Sequence, residues 1–472
     1  MSGEFIYNQE DYYREQYWHM PGTKKGILEY LGSHGTEWSQ ISDSYPEFLG
    51  LANRPKSKRI DKLSPVTIIS PDSFEHHLNQ FKGQVELHAS EWQKESLERP
   101  GYPSRIVMFW DVDLYDKPTP NWSRDNPRDA FNVLEPTYQL MQSVLNEYGI
   151  PYLAIVSGRG YNFVTQIPAT SPVMDEMLNI SGPIEPTVLG KQAHPYINLK
   201  RRKPVPPKTE SGHVAAARLQ QFLFGQIIRQ ARSHSVVPIE VSDIGINGIA
   251  LDNTTMVYSV DKRLTTVIGT PYFIKSEISG AGPPPTVLKI PRHSKNYNLK
   301  LEEIFIYRGR YDLASDIMSQ FDCSIPDGSG GIAQLLEAYN ASDLKILHEA
   351  MDSTFGDPPE RFTTGYRRYR DISDRTAHPD KIYNLILGAN QMLLEPNNLN
   401  DFVWEIFEAW SNKEDPLSVA PHIAGLLRAI YEDPRFRWGS RWTKQTDALR
   451  YARGWVTIML GQAFEKKGQS EI

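Results

Sequence analysis

A chain of 472 residues exceeds one ordinary domain and is comfortable as two, each able to bury its own core. With 40% hydrophobic, 11% aromatic and 23% charged residues the composition is globular, which excludes fibrous and largely disordered classes, and a formal charge of -6 excludes a uniformly basic nucleic-acid coat. The single cysteine, Cys323, excludes an intramolecular disulfide and a cysteine-built zinc site, so any metal is expected on oxygen ligands.

No apolar run approaches membrane-spanning length, and the acidic, aromatic start lacks the basic and apolar halves of a signal peptide, so a cytoplasmic protein with no membrane partner is expected. In chain order, residues 1–100 read as an αβ lead-in. Helical turns fall over 11–18 and 24–31, a strand over 66–70 and a helix over 73–81. His76 and His77 are adjacent on that helix and do not share a face for a metal.

The first core strand is 105–114, where Ile106, Val107, Met108, Phe109 and Trp110 form an apolar run that ends in acid. Helical spacing follows over 129–148, with Leu134, Leu140, Met141, Val144 and Leu145 on one side and Gly149 placed to stop it. A second apolar strand, 152–156, runs into Ser157-Gly158-Arg159-Gly160 and resumes at 161–166, either as two strands or as one bulged strand about a glycine turn.

The basic, proline-rich stretch 200–208 precedes a long helix over 212–232, with Leu219, Phe222, Leu223, Ile227 and Ile228 on its buried face. Strands are expected over 248–252 and 254–260, and the Gly- and Pro-rich 279–285 reads as a linker or edge. Helical patterns then dominate at 313–321, 332–351, 382–394, 401–410, 419–431 and 446–460. The expected division is an αβ part over 1–300, with lead-in 1–100 and motif-bearing core 101–300, and a helical part over 301–472.

Residues two apart on a strand share a face, so Asp111 and Asp113 project together. Two neighbouring carboxylates repel unless a divalent cation sits between them, and Mg²⁺ or Mn²⁺ prefers such hard oxygen ligands. Phosphoryl transfer from a nucleotide uses two such ions, with a third carboxylate completing the clamp. Asp252, ending an apolar strand, is the first candidate for that third acid and Asp243 the weaker one. The plain alternative for the pair is a loop start, and the same spacing occurs in glycosyltransferases and phosphatases. In Ser157 to Asn162 the glycines can expose backbone N–H groups, Ser157 adds a hydroxyl and Arg159 a fork for phosphate oxygens, which makes a triphosphate cradle. Its alternative is a tight hairpin with an exposed arginine.

The order of these elements resembles the archaeo-eukaryotic primase superfamily, which includes the catalytic primase subunit and the primase-polymerases of plasmids and viruses. That family's apolar strand ending in Asp-x-Asp is matched by 106–113, and its Ser-Gly-x-Arg-Gly-x-His by 157–162, one residue shorter and with Asn162 at the histidine's place. Its third motif is matched by Leu251-Asp252, then Asp261-Lys262-Arg263-Leu264, Pro271 and Lys275; the likeness spans residues 60–295. The resemblance implies an α/β (α+β) core with an RRM-like mixed or antiparallel sheet and flanking helices, followed by an all-α C-terminal domain.

By the same resemblance Asp111, Asp113 and Asp252 would bind two Mg²⁺ or Mn²⁺ ions, with no zinc. Ser157, Gly158, Arg159, Gly160 and Asn162 would hold the incoming nucleotide, helped by Arg263 or Lys275. Asn162 can donate a hydrogen bond but never becomes cationic, so the missing charge falls to His194, Lys200 or Arg202, or polymerisation is weakened. Lacking a cysteine-based zinc knob, the chain sits nearer virus- or plasmid-borne and divergent members.

The run Lys200, Arg201, Arg202, Lys203 can track a template backbone, or serve as a soluble loop. Tyr366 to Arg370 and Arg435 to Trp442 interleave cations with rings, as single-strand surfaces and partly buried aromatic rims both do. The expected function is a DNA primase/polymerase, a nucleotidyltransferase that joins nucleoside triphosphates on a single-stranded DNA template and primer. A replicative helicase is the further partner such a role admits. The alternatives are a replication-initiation or template-binding protein with reduced or lost turnover, and a metal-dependent nuclease.

Overall fold

The apolar run that begins at Ile106 forms an eleven-residue strand, Arg105–Tyr115, and a sheet assembles on both its edges. The computed structural model describes residues 16–32, 48–51, 66–69, 86–90, 105–115, 122–182, 207–231, 235–237, 239–241, 248–252, 264–272, 287–346 and 348–349, with short pieces at 393–394, 402, 405–406 and 437–438.

The strands are β1 Phe48–Leu51, β2 Val66–Ile69, β3 Glu86–Ser90, β4 Arg105–Tyr115, β5 Leu153–Val156 and β6 Gly160–Pro168. They continue as β7 Ile239–Val241, β8 Gly248–Asp252, β9 Leu264–Thr266, β10 Pro271–Tyr272, β11 Val287–Leu288 and β12 Ile290–His293. The helices are α1 Pro21–Tyr30, α2 Pro127–Glu147, α3 Pro172–Asn179, α4 Pro207–Ala231, α5 Leu301–Tyr307, α6 Tyr311–Gln320 and α7 Ser329–Asn340. The central sheet runs β12-β5-β6-β4-β8-β7, antiparallel throughout except that β7 pairs parallel with β8 at the edge. A second, antiparallel sheet runs β2-β1-β3-β9. A mixed sheet with flanking helices is the α/β architecture expected.

Helix α2 begins with Pro127 in its first turn, where a missing N–H costs nothing, and stops at Gly149, whose φ of 64° is easy only for glycine. Its apolar spacing buries Phe131, Leu134, Met141, Val144 and Leu145, while Leu140 packs only at the margin of the core. Phe131 and Tyr138 contact Tyr161 edge-on and tilted, so α2 covers the sheet face that carries Tyr161 and Phe163. Helix α4 lies beside it on that face and is buried on nearly every side, Leu219, Leu223, Ile227 and Ile228 fully so. Its Gln220 Nε2 donates to the Phe109 carbonyl at 2.6 Å, and Arg218 donates to the Ile180 carbonyl at 2.7 Å.

The segment after residue 300, expected at the head of the helical part, is built into the same core. Helix α6 packs on α1 so closely that a Cβ at Gly22 would lie 1.8 Å from the Ser315 carbonyl oxygen, and the Thr23 amide donates to Ser315 Oγ. Residues 326–328 run along β6, where the Gln166 and Gly328 amides donate to the carbonyls of Pro326 and Gln166. The expected helix 313–321 is α6, and 332–351 is α7, a break at 341–342 and further helix at 343–346 and 348–349. Residues 393–394, placed at the end of an expected helix, instead pair in parallel with 437–438. A short apolar run does not distinguish a helix end from a buried bridge by periodicity. The expected helices at 73–81, 419–431 and 446–460, the strand 254–260 and the linker 279–285 lie outside the described residues. Among the described residues no helix is long and apolar enough to cross a membrane.

Candidate active site

The register sets Trp110 and Val112 of β4 beside Phe163 and Tyr161, on the face that α2 covers, so Asp111 and Asp113 belong to the opposite face. The register fixes their neighbours. Asp111 stands opposite Asn162 of β6 on one side and position 252 of β8 on the other, and Asp113 stands opposite Gly160 and Ala250. Directly opposed residues share a sheet face, so both strands flanking β4 bring a candidate site position into the row of Asp111. Parallel pairing puts position 240 of β7 beside Ala250 in the row of Asp113, an acidic position beyond 111, 113 and 252 that the sequence pattern did not single out.

Each described carboxylate has its own protein donor. Asn162 Nδ2 donates to Asp111 Oδ1 at 2.6 Å, and Arg159 Nε donates to Asp113 Oδ2 at 2.8 Å. The Arg159 guanidinium also donates to the Tyr115 hydroxyl at 2.6 Å and lies over that ring, 4.0 Å from its centre. Tyr115 was missed in the sequence, although its place two residues beyond Asp113 puts it on the same face. Charge-assisted bonds of this kind hold the two acids side by side by dividing the compensation between an amide and a cation.

Residues 157–159 join β5 to β6 as a tight antiparallel hairpin. The Ser157 amide donates to the Gly160 carbonyl at 2.9 Å, and the Gly160 amide donates to Ser157 Oγ at 3.0 Å. The serine hydroxyl and one glycine amide of the expected cradle therefore close the turn on itself. A Cβ at Gly160 would fall 1.8 Å from the Val112 carbonyl oxygen and 2.8 Å from Asp113 Oδ1, so only glycine lets β6 approach β4 this closely here.

Behind the hairpin, on the helical face, Arg292 Nη2 donates to Glu135 Oε1 at 2.6 Å and Arg292 Nη1 donates to the Tyr161 hydroxyl. The guanidinium also stacks 3.5 Å from the centre of the Tyr138 ring. Burial works against its charge, but the Glu135 hydrogen bond and the fields of Tyr161 and Tyr138 more than offset this and raise its pKa. Burial pushes the Tyr161 hydroxyl well above its ordinary range, so it stays a neutral donor. No feature of the local sequence announces this network, because its members are far apart along the chain.

No family model matches this chain, and no curated protein matches it. Among solved structures it is similar to the polymerase domain of Mycobacterium tuberculosis Ligase D in complex with DNA. The two are 10% identical, the match covers 67% of this chain and 92% of that one, and the TM-score is 0.32. So loose a superposition transfers no residue roles, and the site rests on the chain's own geometry.

Of the other residues singled out in the sequence, Lys200, Arg201, Arg202, Lys203, His194, Asp243, Arg263 and Lys275 lie outside the described residues, as does the side chain at 252. Among the described residues no group of three or more His, Cys, Asp or Glu side chains converges on one point. Asp111 and Asp113 nevertheless suit a hard divalent cation in donor chemistry: both offer carboxylate oxygen and they share a sheet face.

Proposed function

We propose that this protein is a nucleotidyltransferase of the primase-polymerase type, extending a primer on single-stranded DNA from nucleoside triphosphates. The observation that carries this reading is the register at the centre of the sheet, which sets Asp111 between Asn162 and position 252 with Asp113 beside the glycine turn.

In this reading Asp111, Asp113 and Asp252 hold two Mg²⁺ or Mn²⁺ ions. Such ions neutralise the triphosphate and lower the pKa of the attacking 3' hydroxyl. The chain's own residues do the rest. Arg159 exchanges Asp113 for a phosphate oxygen, a short swing because its Nε already sits 2.8 Å from that carboxylate. Asn162 orients Asp111 and offers a neutral donor to the nucleotide, while Gly160 keeps bulk away from the acids. Lys200, Arg201, Arg202 and Lys203 contact the template backbone, and Arg263 or Lys275 assists at the phosphates.

The test is incorporation of labelled nucleotide on a primed template with Mn²⁺. The variant Asp111→Ala/Asp113→Ala should lose incorporation by a factor of about 10³ or more while retaining its melting temperature. Full activity in that variant overturns the assignment. A second reading, a template-binding protein with reduced or lost turnover, is favoured by one feature: both described acids are already met by protein donors, and Asn162 brings no charge. It predicts a gel shift with single-stranded DNA and no incorporation by the wild type. Degradation of template without added nucleotide would instead mark a nuclease.

A further inference from the structure

Arg308 follows α5 and lies 150 residues from the hairpin, yet it reaches the turn directly. Its Nη2 donates to the Gly158 carbonyl at 2.8 Å. The residue is 5% exposed, its guanidinium lies over the Phe131 ring at 4.8 Å, and its own carbonyl receives the Leu288 amide. Unlike Arg292, which pairs with Glu135, Arg308 makes no ion pair among the described residues, and its Nη1 has no hydrogen-bond partner among them. Burial pulls its pKa down to about 10, against the favourable field of Tyr161, so it remains charged at neutral pH while bearing a desolvation cost.

A buried cation without a carboxylate is costly, and its position says what it can stabilise. In a trans peptide the C=O and N–H point in opposite directions, and the protein has no cis peptide bond among the described residues. Drawing the Gly158 carbonyl inward onto Arg308 therefore turns the N–H of Arg159 outward, away from the core. The next carbonyl, that of Arg159, is fixed by the Leu114 amide of β4. Two successive peptides of the turn are thus set, one by the central strand and one by Arg308.

We propose that Arg308 is a positioning residue for triphosphate binding: it aims the Arg159 amide at a phosphate and places a buried positive charge behind the turn. The inference rests on the reading that the hairpin meets nucleotide phosphates, and it adds a residue that this reading does not contain. Arg308 touches no reacting atom and acts through Gly158.

The experiment measures binding of dATP, dAMP and inorganic tripolyphosphate to the full chain by calorimetry, beside KM and kcat for incorporation. Arg308→Gln should weaken dATP and tripolyphosphate about tenfold, weaken dAMP less, and raise KM more than it lowers kcat, at an unchanged melting temperature. Arg308→Lys keeps the charge but cannot span both the Gly158 carbonyl and the Phe131 ring, so it should lose about threefold. Wild-type affinity in a folded Arg308→Gln protein overturns the proposal, and if that variant does not fold, wild-type affinity in Arg308→Lys does so. A wild type that binds dATP but incorporates nothing defeats the polymerase reading and leaves Arg308 standing; a wild type that binds neither dATP nor tripolyphosphate defeats both.

Discussion

Gly160 shows how a single hydrogen atom in place of a side chain decides the site. A methyl group there would collide with the backbone oxygen of Val112, which cannot rotate away, and would press on Asp113 Oδ1. Gly160→Ala should therefore push β6 from β4, costing about 2 to 3 kcal/mol by the usual penalty for overpacking. Urea denaturation reads this directly, and an unchanged midpoint would contradict the close approach. In the proposed reading the same variant should bind nucleotide poorly, because Asn162 rides on the strand that moves and Arg159 sits in the turn that leads into it. Arg159 differs in kind. Its side chain is about one-third exposed, and Asp113 and the ring and hydroxyl of Tyr115 are among the groups that hold it.

At the scale of elements, α2 is clamped to the sheet by a buried ion pair as well as by its apolar stripe. Glu135→Leu would strand Arg292 in a site where its side chain is 4% exposed, and should cost about 3 kcal/mol. Adding Arg292→Met should restore most of that loss, leaving the Tyr161 hydroxyl as the residual penalty of about 1 kcal/mol. A double variant as unstable as the single one would show that the pair is not the cause. The elements themselves were largely legible in the sequence. The apolar runs of β4, β5 and β8 and the helical spacing of α2, α4 and α6 announce themselves locally, and so does the acid pair, through the period of two. What local pattern could not supply is the register that sets position 252 opposite Asp111 rather than one residue away, or the contacts from Arg308 to Gly158 and from Arg292 to Glu135. Those depend on strands and helices meeting across more than a hundred residues. The closed hydrogen bonding of the Ser157 turn was hidden for another reason, since a glycine-rich stretch specifies that a turn occurs but not which amides it consumes.

On the scale of the molecule, the lead-in and the segment after residue 300 are held together through the core rather than strung along it. Helix α1 lies on α6, the Lys25 ammonium donates to the Phe321 carbonyl at 2.5 Å, and the Cys323 amide donates to Glu29 at 3.0 Å. A fragment ending at residue 300, where composition alone would divide the chain, loses the buried side chains of Ile317, Met318, Phe321, Ile332, Leu335 and Leu336. At about 1.5 to 3 kcal/mol for each side chain returned to water, the loss is about 9 to 18 kcal/mol, comparable to the whole stability of about 5 to 15 kcal/mol of an ordinary domain. The fragment also loses Arg308, and with it the inward pull on Gly158. It should show no cooperative thermal transition and bind no dATP, and in the proposed reading the full chain should show both that transition and that binding. A fragment of residues 1–300 that melts cooperatively and matches the full chain in a dATP-binding assay would mean that α5 to α7 are appended to the central sheet and not part of what holds it.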